Sequence, residues 1–115
     1  MSETEIKNLL EDIYDSLTKI GTYTQGMQYD DFIKDEKTID AVVRNFEIIG
    51  EAATKVPDDF KTEHPEIEWR RMIGFRNRII QEYFGIDYEN LWKIKQENIP
   101  VLSEFIEQTL DNLNS

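Results

Sequence analysis

Cysteine is absent from this chain of 115 residues and histidine occurs once, which excludes disulfide staples, thiolate metal centres and His-rich transition-metal sites. A thiol-free chain suits a reducing cytoplasm. Long apolar runs are missing too: no stretch approaches the ~18 consecutive apolar residues of a membrane span. The opening Met-Ser-Glu-Thr-Glu-Ile-Lys is acidic and polar, whereas a secretory signal is basic and then apolar. The expected protein is soluble and cytoplasmic, with no membrane association. Glycine (5) and proline (3) are few, and no Gly/Ser-rich linker, low-complexity tract or internal repeat divides the sequence. Residues 1–115 are therefore expected to form a single domain, small enough that a partner surface would help its stability.

Positive charge is the remaining shortage. Thirteen Lys/Arg face 24 Asp/Glu, for a net charge of −11, which argues against broad, non-specific binding to nucleic acid. The deficit is uneven. Residues 1–67 carry 7 basic and 16 acidic side chains (−9), 68–95 carry 6 and 4 (+2), and 96–115 carry none and 4 (−4). Any contact with a polyanion is expected in the middle window, which holds the stretch Arg76-Asn-Arg-Ile-Ile-Gln-Glu-Tyr83.

The apolar residues recur at helical spacing throughout. Ser2 with Glu5 resembles a capping box, and Ile6, Leu9, Leu10, Ile13, Leu17 and Ile20 then mark one face of a helix ending at Gly21. A short helix is predicted over Tyr29–Ile33, dropping Phe32 into the core. Ile39, Val42, Val43, Phe46, Ile49, Ala52, Ala53 and Val56 define a second long helix, stopped by Pro57. Asp58–Glu63 should add a helical turn within a connector. A third helix is predicted from Glu68, burying Trp69, Met72, Ile73, Phe75, Ile79 and Ile80, with Gly85 as its stop. Asp87 can N-cap a fourth, running to Leu113 with a kink at Pro100. The expected fold class is all-α, an up-and-down antiparallel bundle of four main helices plus short helical turns.

The candidate site lies in residues 70–83. If the third helix continues that far, Arg76 and Tyr83 share a face, while Arg76 and position 81 point about 140° apart. A cleft using Arg76 and position 81 would then be completed where two copies meet. Arginine that fixes a phosphate, an imidazole that moves a proton and asparagine that orients donors together suit metal-free phosphodiester cleavage. Here Gln81 stands where the imidazole is wanted, and glutamine has no accessible pKa with which to move a proton. The same arginines also read as surface cations paired with acids of a neighbouring helix, and Tyr83 as a packing residue. His64 is expected to be a surface residue. The acid pairs at 30–31, 35–36 and 58–59 look like turn and cap residues rather than metal ligands, and no Gly-rich phosphate loop, EF-hand spacing or nucleophile elbow is present.

Beyond these spacings, the chain resembles the HepT-like members of the HEPN domains over nearly its whole length. The resemblance rests on Asp35-Glu-Lys-Thr-Ile-Asp-Ala-Val-Val-Arg-Asn-Phe-Glu-Ile-Ile-Gly-Glu-Ala-Ala53, His64-Pro-Glu-Ile-Glu-Trp-Arg70, Ile73-Gly-Phe-Arg-Asn77 and Tyr83-Phe-Gly-Ile-Asp-Tyr88. The family signature is Arg-x-x-x-x-His-x-Tyr; Arg76 and Tyr83 match it, and Gln81 replaces the histidine. The resemblance implies a single HEPN-like helical domain and a metal-independent ribonuclease toxin with no cofactor. It implies a homodimer with a composite cleft, silenced when a minimal nucleotidyltransferase antitoxin transfers AMP to the signature tyrosine, as in a type VII-like toxin–antitoxin pair. On this mapping Arg76 binds phosphate, Gln81 holds the base position, Arg70, Asn77 and Arg78 support RNA binding, and Tyr83 accepts AMP, with Tyr88 left open as the alternative acceptor. Because Gln81 cannot carry a proton, the expectation is an inactive or severely impaired enzyme that keeps its fold and partners. The alternative is a non-catalytic helical module that binds a nucleotide or a nucleotidyltransferase.

Overall fold

A computed structural model of the chain describes residues 1–81, 83 and 85–115. Seven helices occur among them: α1 (Glu3–Tyr23), α2 (Tyr29–Phe32), α3 (Glu36–Lys55), α4 (Asp58–Glu63), α5 (Trp69–Ile79), α6 (Tyr88–Glu97) and α7 (Ile99–Leu113). Two-residue strands β1 (Ile80–Gln81) and β2 (Gly85–Ile86) pair antiparallel between α5 and α6. The all-α class holds, and no helix is long and apolar enough to cross a membrane among the described residues.

Local chemistry sets the helix starts. Ser2 Oγ accepts from the Glu5 amide at 3.1 Å, while its hydroxyl donates to the Glu5 carboxylate, also at 3.1 Å. Asp35 caps α3 through the Thr38 amide, and Asp87 caps α6 through the Asn90 amide, each at 3.1 Å. These bonds satisfy amide groups that a first helical turn leaves without partners.

The long α3 packs against α1 on one side and α5 on the other, and α7 closes on α1. The core sits between them: Leu10, Ile13 and Leu17 of α1, Val42, Phe46 and Ile49 of α3, Met72, Phe75 and Ile79 of α5, and Leu102 and Ile106 of α7 are all buried. Phe46 and Phe75 meet edge to face at 5.2 Å, locking α3 to α5 with a favoured aromatic geometry. At Gly50 the two helices approach closely, since a Cβ there would lie 3.3 Å from the Met72 carbonyl oxygen. Helix α6 is tied to α2 by Trp92, whose ring stacks at a tilt on Phe32 (5.0 Å) and carries the Lys95 ammonium 4.5 Å above it.

Three expectations need correction. The third helix ends at Ile79 rather than Gly85, because the chain leaves the helix at Ile80 in extended geometry and pairs with Ile86. Gly85 serves the hairpin instead, with a φ of +78° that L side chains rarely adopt. The fourth predicted helix is two: it breaks at Asn98, and Pro100 lies in the first turn of α7, where its missing N–H costs nothing. Ile73, expected in the core, is 38% exposed. Smaller differences are the extension of α1 to Tyr23 and the setting of His64, whose ring packs 4.3 Å from Phe60 while its carbonyl accepts from Trp69 Nε1 at 3.0 Å.

Candidate functional site

The signature residues run along the chain from the end of α5 into the hairpin. Arg76 lies on the last turn of α5 and lines a crevice of about 240 Å³ with Ile73 of the same helix and Glu47, Gly50, Glu51 and Thr54 of α3. The closeness of α3 and α5 at Gly50 creates this crevice. Glu47 and Glu51, one turn apart on α3, are the acids facing it, and sequence reasoning missed them because they stand 29 and 25 positions before Arg76. Gly50 inside an otherwise amphipathic helix was the signal available, since a glycine there marks a close approach.

The expectation that Arg76 simply pairs with acids of a neighbouring helix is half met. Acids do face it, yet among the described residues Arg76 makes no ion pair; the pairs found are Arg44 with Glu51, Arg71 with Glu68 and His64 with Glu66. Its guanidinium is exposed, as are Arg70, Asn77 and Arg78.

Gln81 is on β1, opposite Gly85. The helical angles drawn between Arg76, position 81 and Tyr83 therefore do not apply, because the helix stops at Ile79, and the geometric argument for a seam between two copies lapses with them. What fixes position 81 is the hairpin. The Asp87 amide donates to the Ile79 carbonyl at 2.7 Å, closing the loop behind the two strands. One Asp87 carboxylate oxygen caps α6, and the other accepts from Gln81 Nε2 at 3.4 Å. A carboxylate thus stands beside the position that would hold an acid–base group, where it would orient an imidazole and favour its charged form.

Tyr83 stands at the hairpin turn, 85% exposed, whereas Tyr88, the first residue of α6, is 39% exposed. Glu82 of the motif and Phe84 beside it lie outside the described residues. Arg70 and Arg78 do not share the Arg76 crevice; together with Arg71 they line another, beside Trp69, of about 630 Å³. The structure thus divides the predicted arginines into two sets. No group of three His, Cys, Asp or Glu side chains is placed to hold a metal ion among the described residues.

Comparisons with known proteins identify the family. A family model described as ribonuclease HepT-like matches residues 13–109. The chain is 47% identical over 96 residues to "Probable ribonuclease HepT" of Thermococcus cleftensis, covering 84% of this chain and 87% of that protein. Two proteins of Methanocaldococcus jannaschii with RNase in their names are also similar. One is 39% identical over 107 residues, covering 93% of this chain and 98% of that protein; the other is 35% identical over 113 residues, covering 98% and 93%. No solved structure matches. With a family model spanning most of its length and relatives aligned nearly end to end, this chain belongs to the ribonuclease HepT-like family.

Proposed function

We propose that this protein is the toxin-type ribonuclease subunit of a HEPN/nucleotidyltransferase toxin–antitoxin pair, carrying a site disabled at position 81. One observation supports the reading: the Asp87 carboxylate stands beside position 81 in the hairpin that directly follows the helix bearing Arg76. Metal-free cleavage of RNA uses the ribose 2′-hydroxyl as nucleophile on the adjacent phosphorus. The proton leaves that hydroxyl for a base, and the departing 5′-oxygen takes one up. Arg76 neutralises the phosphate as charge builds on it, and Asn77 orients the donors around it. Gln81 supplies hydrogen bonds and no proton transfer, so the cleavage rate falls by roughly 10²–10⁴.

The protein acts as a homodimer on this reading. Ile73, 38% exposed beside Arg76, is the kind of apolar residue that a second copy would cover, and family membership supports the same assembly. The minimal nucleotidyltransferase antitoxin modifies Tyr83 with AMP. Its exposure, about twice that of Tyr88, favours it as the acceptor, and a nucleotidyl group placed there adds negative charge to the hairpin that carries position 81. RNA would then be repelled. The protein's setting is the cytoplasm.

The test is gain of function. Gln81→His should cut RNA without divalent metal and slow cell growth, and Arg76→Ala in that background should abolish both. A folded Gln81→His protein that leaves tRNA and mRNA intact would remove the enzyme reading. Gln81 itself favours the second reading, a non-catalytic module that binds a nucleotide or its transferase partner; calorimetry would then show affinity for ATP or short RNA while the gain-of-function variant stays inert.

A further inference from the structure

The two arginine sets on α5 point to separate tasks. Arg71 and Arg78 are seven residues apart and so lie within about 20° of one another around an ideal helix, whereas Arg76 is about 140° round from Arg71. The packing agrees. Arg76 faces α3, while Arg71 and Arg78 line a small crevice against α6 with Asn90, Lys93 and Asn98, about 170 Å³ in volume. Three cations there oppose two carboxylates, Glu97 in the lining and Glu68 paired with Arg71, giving a local charge of +1 on a protein whose total is −11.

Both walls of this crevice are held in place. Asn90 Nδ2 donates to the Arg78 carbonyl at 2.7 Å, pinning the start of α6 to the end of α5. Arg71 is braced through Nε by Glu68 at 2.9 Å. A volume below the roughly 300 Å³ at which small-molecule pockets begin suits one phosphoryl group and not a whole nucleotide. The crevice does not end there, because Arg71 and Arg78 also line the 630 Å³ depression that contains Arg70. Two adjoining depressions sharing two arginines suit successive phosphates of a strand, and arginine matches phosphate oxygens in a bidentate way.

We propose that the α5–α6 crevice formed by Arg71, Arg78, Lys93 and Asn90 is a second phosphate-binding site, apart from the Arg76 crevice, that seats the backbone of the RNA. The choice of RNA as the source of the phosphates rests on the ribonuclease reading. The site's task is to hold the strand by charge while the α5–hairpin junction acts on it. Most of the protein's acidic surface repels RNA, so this strip is where the strand gains its electrostatic affinity.

The test is the salt dependence of binding. A labelled single-stranded RNA is titrated by fluorescence anisotropy against the Gln81 protein and against the double variant Arg71→Gln/Lys93→Gln, at several salt concentrations. Both side chains are solvent-accessible, and circular dichroism and thermal melting should leave the fold unaltered. Two lost phosphate contacts should flatten the slope of log K against log salt by about 1.4, at about 0.7 per contact for single strands. In the Gln81→His background the same pair should raise KM and leave kcat unchanged. Slopes that coincide would overturn the proposal, as would loss of antitoxin binding or of ATP binding with RNA binding intact, since the crevice would then serve another partner. The two readings fail separately. A flattened slope with an inert Gln81→His protein keeps the site and removes the ribonuclease, whereas cleavage with unchanged slope and KM does the reverse.

Discussion

Asp87 should tune any imidazole placed beside it, and the size of that effect can be worked out beforehand. In Gln81→His, the introduced ring would stand where the Gln81 amide now lies 3.4 Å from Asp87 Oδ2. Two unit charges about 4 Å apart in a water-like dielectric interact by about 1 kcal/mol, and position 81 is exposed, so that limit applies. One pKa unit corresponds to about 1.36 kcal/mol, and the carboxylate should therefore raise the imidazole pKa by about 0.7 unit. Asp87→Asn removes the charge and keeps an N-cap of equal quality, leaving α6 intact. The assay is an NMR titration of Gln81→His with and without Asp87→Asn. The sign extends to stability. A raised folded-state pKa contributes stability that is complete below the unfolded value near 6.5 and is lost as pH rises through the folded value, so Asp87→Asn should weaken the variant at pH 5 and not at pH 8. Equal pKa values in the two proteins, or a lower one with Asp87 present, would refute the placement of position 81 against Asp87.

Three further outcomes are expected. Phe75→Ala should destabilise the fold by about 3–5 kcal/mol in urea unfolding, since Phe75 is fully buried against Phe46; a loss under 1 kcal/mol would contradict its central place in the core. The Thr38 amide, and after it the Thr38 hydroxyl, holds the Asp35 carboxyl below its ordinary value. Its stabilising effect should be present above the unfolded pKa of about 3.9 and fade as pH falls through the lower folded value, so stability measured in that window should lose part of its pH dependence in Asp35→Asn. Incubation with the minimal nucleotidyltransferase and ATP should add AMP to the protein and to Tyr88→Phe but not to Tyr83→Phe, read by intact mass; adduct on Tyr83→Phe alone of the two variants would transfer the modification to Tyr88.

Much of the fold was legible because its helices are amphipathic and capped by short polar side chains. The spacing of Ile39, Val42, Phe46, Ile49 and Ala53 needs nothing beyond itself to define a helix face, and Asp35 and Asp87 act within three residues of themselves. The end of α5 was not legible for a tertiary reason. A glycine after an apolar run fits both a helix stop and a hairpin, and what separates them here is the pairing of Ile80 with Ile86, which two-residue strands are too short to announce by alternation. Ile73 keeps the helical period, yet lines the crevice beside Arg76 and stays 38% exposed. At the site, Arg76, position 81 and Tyr83 were recognisable as a motif, but Glu47, Glu51 and Asp87 join them only through folding. The division of the arginines between two crevices was not read from the sequence, because it depends on which neighbouring helix each side of α5 packs against.

The most direct measurement compares RNA cleavage by this protein and by Gln81→His, side by side, without divalent metal, on total tRNA, with the cut ends identified. The predicted result is cleavage by the histidine variant alone, leaving 2′,3′-cyclic phosphate ends that mark attack by the ribose 2′-hydroxyl, at a rate at least about 10²-fold above the Gln81 protein. Equal cleavage by both would contradict the account, because the proton carrier would then lie elsewhere than position 81.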